Sequence, residues 1–309
     1  MGCPVRVTEA VERPVRPVGV RAGRARQAGK QCAGHAVGSV PRLAAAAALA
    51  VACGAAGAAP LPLWEAGIGL GAVSTPAYPA SADRSSRALV LPFIIYRGEV
   101  IRSDQGGIGA RVLHSDVYEL DVGFAASLPA RSDDVAARQG MPNLGPLGEF
   151  GPRLRVNLGN PTPASRLRLD LPVRTVIEVR GGLHKRGWVT EPRLIWETRD
   201  ATGQWTFDAH VAAAFGDRSI NDYFYGVSTQ YATAARPTYA ADAGLILTRI
   251  GASTSYKVSE DVRVFAYTRY ENYSASANKA SPLYLKSSGT SAGIGLLWTL
   301  GRSSTPAAR

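Results

Sequence analysis

The side chains best placed for chemistry are Asp208 and His210. They stand two residues apart in the alternating run from Gln204 to Ala213, and successive side chains of a strand point to opposite faces, so both project from one face. Joined by a serine, an acid and a histidine so placed make a hydrolase of the Ser-His-acid type. No serine can be assigned to the pair from the sequence, and the preferred reading is a polar couple inside the folded chain. The other histidines are His35, in the leading segment, and His114 and His184, which fall near strand ends or turns without matching ligands. No metal site and no cofactor is therefore expected.

Cys3, Cys32 and Cys53 are the chain's cysteines, and all lie in the first 59 residues. If that segment is removed, a disulfide framework, a Cys-type zinc site and a thiol nucleophile are excluded from the mature chain. The balance of 35 Lys+Arg against 24 Asp+Glu gives a net charge of +11, but no Lys/Arg block follows residue 60, so no nucleic-acid partner is expected.

The cysteine-bearing segment reads as an export signal. Residues 43–52 are an unbroken apolar run after Arg42, and small residues follow through Ala59. The expected division is a presequence over 1–59 and a mature domain over 60–309, with the cleavage bond near Ala59. Residues 1–36 belong to an Arg-, Gly- and Pro-rich stretch too long for an ordinary n-region, and translation is expected to start at Val37 or Val40.

Past residue 60 the apolar residues recur with period two. Trp205, Phe207, Ala209, Val211 and Ala213 oppose Thr206, Asp208 and His210; Leu167, Leu169, Leu171, Val173 and Ile177 oppose Arg166, Arg168, Asp170, Arg174 and Glu178. About twelve such segments can be traced, one of them over 189–199, with a bulge or break in the ladder expected at Pro172. Short turns alternate with longer loops near 73–87, 128–150, 216–239 and 274–288. Aromatics cluster near strand ends, and Trp64, Trp188, Tyr223, Tyr225, Tyr256, Tyr270, Tyr273 and Trp298 are expected to form interfacial girdles. A soluble sandwich would bury the apolar face, whereas a membrane barrel would turn it to lipid. The export signal, the strand lengths and the girdles favour the second. The expected fold is all-β: a closed antiparallel transmembrane β-barrel of about twelve strands, roughly 10–14, after an N-terminal signal peptide.

The opposite strand face then supplies candidate lumen charges: Arg153, Arg155, Arg166, Arg168, Arg174, Glu178, Arg180, Arg193, Glu197, Asp208 and His210. Paired, they fill and nearly plug the interior; unpaired, they make it attract anions. A second candidate site is Ile220, Asn221, Asp222, Tyr223, Phe224 and Tyr225, an aromatic stretch in an expected loop. It reads as a loop packed over the barrel mouth or as a partner-contact patch, since aromatic side chains dominate binding hot spots.

The mature chain resembles the MipA/OmpV family of outer-membrane proteins, also called MltA-interacting proteins. The matching stretches are Gly67-Ile-Gly-Leu-Gly71, Pro76-Ala-Tyr-Pro-Ala-Ser81, Leu91 to Arg97, Asp121 to Phe124, Gly140-Met141, Glu149 to Gly151 and, most clearly, Ile220 to Val227. Their order along the chain carries the resemblance, which covers most of 64–300. At Ala80 the family often has Gly. The resemblance implies a non-enzymatic barrel in outer-membrane lipid, a monomer or homodimer, acting as a scaffold for a peptidoglycan synthase and a lytic murein transglycosylase. The alternative is a narrow outer-membrane channel or small-molecule uptake protein. A hydrolase built on His210 is a third reading.

Overall fold

The computed structural model describes residues 61–307 apart from 100, 105, 106 and 128; the expected presequence lies outside the described residues. The alternating segments form one antiparallel sheet of strands β1 (Trp64–Pro76), β2 (Arg84–Tyr96), β3 (Ile101–Asp104), β4 (Gly107–His114), β5 (Tyr118–Ser127), β6 (Leu147–Gly159), β7 (Ser165–Val179), β8 (Leu183–Thr190), β9 (Arg193–Arg199), β10 (Trp205–Gly216), β11 (Gly244–Lys257), β12 (Val262–Asn272) and β13 (Ser288–Arg302). The last strand returns to the first, with Ser74 opposite Ala292 and Glu65 opposite Arg302. The path runs from β2 through β1 and β13 round to β3, and these two ends are consecutive in the chain and adjacent in space, so the sheet closes into a barrel.

β8 and β9 both pair with β7 on one side and β10 on the other, so together they occupy one of twelve positions in the wall. The strand expected over 189–199 thus starts earlier, at Leu183, and is interrupted at Glu191–Pro192. Pro192 has no N–H to give, and Gly187 at φ +123° accompanies a register shift that hides the alternation upstream. On this side the ladder lapses between Val173↔Thr190 and Asp170↔Arg193, opposite Leu171 and Pro172, which is the break expected at Pro172.

The outward faces are apolar and exposed: Val90 is 70%, Ile294 64% and Ile250 62% accessible. A sandwich would bury these side chains; a barrel in a bilayer gives them to lipid. Trp64, Tyr256 and Trp298 stand at one rim, and Trp188 and Tyr270 toward the other, as the girdle expectation requires. Tyr223, Tyr225 and Tyr273 depart from it. Tyr225 and Tyr273 have no accessible surface, because they pack into a cap at one end of the barrel.

That cap holds most of the apolar core. It is built from 77–83, 129–146, 217–243 and 273–287, the connections at one end, and its buried centre includes Tyr78, Val135, Ile220, Tyr225, Tyr273 and Leu283. Among the described residues the other end carries short turns at 97–99, 115–117, 160–164, 200–204 and 258–261 and the two ends of the described chain, where Leu63 N–H donates to the Thr305 carbonyl. Within the cap the expected 216–239 loop contains a helix, α1 (Arg218–Tyr225), started by Asp217, whose carboxylate accepts from the Ile220 N–H at 3.0 Å. Ala80 sits at φ +67°, a left-handed conformation that favours Gly, with its carbonyl accepting from both Leu285 and Lys286 N–H.

On the wall, β12 lays two rings over glycines of β13. A Cβ on Gly295 would stand 2.5 Å from Phe265 Cζ and 2.7 Å from the Leu70 carbonyl oxygen. Gly295→Val should therefore destabilise the barrel by about 1–3 kcal/mol, measured as a lower urea midpoint for loss of the heat-modifiable gel band.

Candidate functional site

The inward face from β4 to β12 is a chain of ion pairs. Arg153 grips Asp121 with two bonds of 2.9 and 2.7 Å, and both side chains are nearly inaccessible. Arg155 bridges Glu119 and Asp121 at 3.3 Å each. Arg168 joins Asp170 at 2.8 Å and Glu197 at 2.9 Å, Arg174 faces Glu149 at 3.4 Å, and Arg193 bonds Glu191 at 2.8 Å. Glu178 takes Arg186, the Gly145 N–H at 2.8 Å and the Tyr223 hydroxyl at 3.0 Å, tying the wall to the cap. Arg166, level with Glu197 on the inward face, and Arg180 just past the end of β7 are exposed at opposite rims, and Arg180 donates to the Asn143 carbonyl. The sequence list also passed over Glu149, Arg186 and Arg249. Arg249 joins Glu191 at 2.5 Å and Glu271 at 2.7 Å, and alternation in β11 could have found it.

Asp208 and His210 share the inward face, with His210 Nδ1 3.7 Å from Asp208 Oδ1. The serine that joins them is Ser253, directly across on β11, and its hydroxyl donates to Asp208. The acid thus stands between serine and histidine, an order that leaves His210 no serine proton to take. The sequence also contains Gly289-Thr290-Ser291-Ala292-Gly293, a Gly-x-Ser-x-Gly pattern. Ser291 lies within β13 rather than on a strand-to-helix turn, is 2% accessible, and shares a 2.9 Å hydrogen bond with Thr75.

The opposite wall differs. On β12, β13, β1 and β2 the middle of the inward face is mostly glycine and apolar side chains, with Arg87, Arg263 and Arg269 among them: Phe265 is level with Gly295, Gly71 and Leu89, and Leu297 with Arg263, Gly69 and Leu91. Leu91 is 56% accessible although it shares the inward face of Leu89 and Phe93, so water reaches this part of the lumen. Between this wall and the cap lies a cavity of about 420 Å³, roofed by Tyr78, Leu144, Tyr223 and Phe224.

α1 packs its Ile220, Asn221 and Tyr225 inward, so the six-residue stretch is a helix packed over the barrel mouth. Asn221 and Asn278 bond side chain to side chain at 3.0 Å, and Tyr78 donates to the Leu283 carbonyl at 2.8 Å. Burial pushes the Tyr78 hydroxyl up to about 12, against the pull of Arg138, and burial likewise raises Tyr225 and Tyr273.

The family model described as MltA-interacting protein MipA matches residues 68–300. The chain belongs to the MipA family. No curated protein sequence matches it. Among solved structures it is similar to a bacterial polysaccharide outer membrane secretin (7% identity, TM-score 0.35, covering 77% of this chain and 99% of that one). It is also similar to the outer membrane phospholipase A of Escherichia coli (11% identity, TM-score 0.32, covering 78% and 91%). A third is the CymD monoaromatic hydrocarbon channel (9% identity, TM-score 0.32, covering 78% and 90%). This MipA-family chain is an outer-membrane β-barrel. Bacterial barrels keep short turns on the periplasmic side and longer loops outside, which puts the cap of this MipA-family barrel at the cell surface and its turn end in the periplasm.

Two outcomes test this geometry. Arg249→Met leaves Glu191 and Glu271 facing each other in a confined interior and should cost about 3–5 kcal/mol in urea unfolding of the refolded barrel. The Tyr78 value is raised on folding, so its contribution is full below about pH 10 and is lost as pH rises through about 12. The cap should loosen in that window, read by near-ultraviolet circular dichroism, and Tyr78→Phe should flatten the transition.

Proposed function

We propose that this chain is a non-enzymatic outer-membrane scaffold that docks a lytic murein transglycosylase, with a murein synthase beside it, at its periplasmic turn end. The observation that carries the reading is the cap. Buried tyrosines and α1 fill the outer mouth, and ion pairs fill much of the lumen beneath, which favours a plugged body over a pore. The description of the matching family, an MltA-interacting protein, supports the partner. The order Ser253–Asp208–His210 supports a structural role for the one histidine–acid pair in the lumen. On this reading the contact lies at the turn end rather than at Ile220 to Tyr225, because α1 belongs to the cap. The open lower lumen favours a second reading, passage of small molecules, for which steady open-channel steps in planar bilayers would be the signature.

Cysteines are confined to the first 59 residues, so the mature barrel accepts a single reporter thiol. A benzophenone attached at Ala201→Cys, in a periplasmic turn, should cross-link the transglycosylase or synthase in intact envelopes, identified by mass spectrometry. The same probe at Arg218→Cys on α1 should not. Recovery of barrel-assembly factors alone from Ala201→Cys, or of the enzymes from Arg218→Cys only, would refute the proposal.

A further inference from the structure

The apolar wall of the lumen has no counterpart in a purely structural plug. Its side chains are graded along the barrel axis. Just beneath the cap, Arg269 on β12 is level with Ser291, which bonds Thr75, and Thr75 is level with Ser85. One step down come Tyr267, Gly293, Val73 and Arg87, then Phe265, Gly295, Gly71 and Leu89, then Arg263, Leu297, Gly69 and Leu91, and finally Gly67 and Phe93; Arg87 donates to the Ser85 hydroxyl and the Pro129 carbonyl. The strip from Leu89 to Phe93 is about 13 Å long at roughly 3.3 Å per residue.

Its charge is not balanced like that of the opposite wall. The arginines there hold carboxylates, and Glu271, the acid nearest in sequence to Arg269, is taken by Arg249 and the Tyr273 hydroxyl. Arg269 makes no ion pair among the described residues; its guanidinium lies 4.7 Å from the Tyr267 ring and lines the 420 Å³ cavity. Glu271 and Arg249 line the same cavity, but that carboxylate is already engaged by Arg249 and Tyr273; a cation left without its own carboxylate in a confined, partly apolar space attracts an anion, and a wet apolar strip below it favours a hydrocarbon body. The volume lies in the range of small-ligand sites.

We propose that the lumen binds a single-chain amphiphile with one carboxylate, its head at Arg269 beneath the cap and its chain along the glycine-floored strip toward the periplasm. The glycines make room: a Cβ on Gly293 would stand 2.9 Å from Tyr267 Cζ, so the rings lie flat against the wall and the space in front of them is left to the chain. The site does not depend on the scaffold reading, since a partner docked at the turns and a ligand in the lumen use different surfaces.

The test is calorimetric titration of octanoate into the protein purified from outer membranes into lipid nanodiscs, with empty nanodiscs subtracted. Octanoate should bind at least about tenfold more tightly than neutral octanamide, a difference of about 1.4 kcal/mol. Arg269→Gln should abolish that preference, Arg269→Lys should keep part of it, and Leu91→Ser, which loses little packing, should weaken octanoate severalfold. Unchanged heat-modifiable mobility checks that each variant is folded. No heat above empty nanodiscs, an intact preference in folded Arg269→Gln, or loss of the preference only in Arg263→Gln, the inward cation level with Leu297, would overturn the assignment.

Discussion

Every backbone N–H and C=O that enters the hydrocarbon must find its partner inside the protein, because lipid offers none. The rest of the structure depends on that constraint. It forces the sheet to close, so β13 returns to β1 along nearly its whole length. It also converts alternation into a partition: Val90, Ile250 and Ile294 face lipid, and the alternate residues face an enclosed lumen. Polar groups in so narrow a space must then satisfy one another, since few waters can do it for them.

Two solutions to that interior problem stand side by side. From β4 to β12, long charged side chains lie along the wall and neutralise their neighbours, as Arg153 does with Asp121 and Arg249 with Glu191 and Glu271. From β12 round to β2, the wall is lowered to glycine and the rings of Phe265 and Tyr267 lie on it. The first solution fills volume and fixes strand register through directional bonds. The second leaves volume free beneath the cap. A lumen filled evenly by either one would lack the graded cavity.

The cap is where the chain is packed as a soluble protein is packed. Tyr225, Tyr273 and Leu283 are fully buried there, and segments far apart in sequence are joined by the Asn278–Asn221 pair, by the Tyr78 hydroxyl on the Leu283 carbonyl and by the Ser281 hydroxyl on the Tyr225 carbonyl. Its attachment to the wall runs through Glu178, which holds Arg186, Gly145 and Tyr223 together. The most recognisable sequence element of the chain, Ile220 to Val227, is thereby a structural keystone of the outer mouth.

The sequence by itself determined the barrel, its strand count, the lipid-facing residues and the order of family elements, because a period of two is a local property and survives without knowledge of neighbours. It also placed Arg153, Arg155, Arg168, Arg174, Glu178, Arg193, Glu197, Asp208 and His210 on the inward face. It did not determine which acid each arginine meets, that Ser253 would sit beside Asp208, or that Tyr223, Tyr225 and Tyr273 would leave the girdle for the cap. These are contacts between residues tens to hundreds of positions apart, decided by register and by which loops share a mouth. Ladder register across β12, β13, β1 and β2 likewise decided that Arg269 and Arg87 would end above an apolar strip. Only the closed tertiary structure brings those four strands together, because closure joins the two ends of the chain.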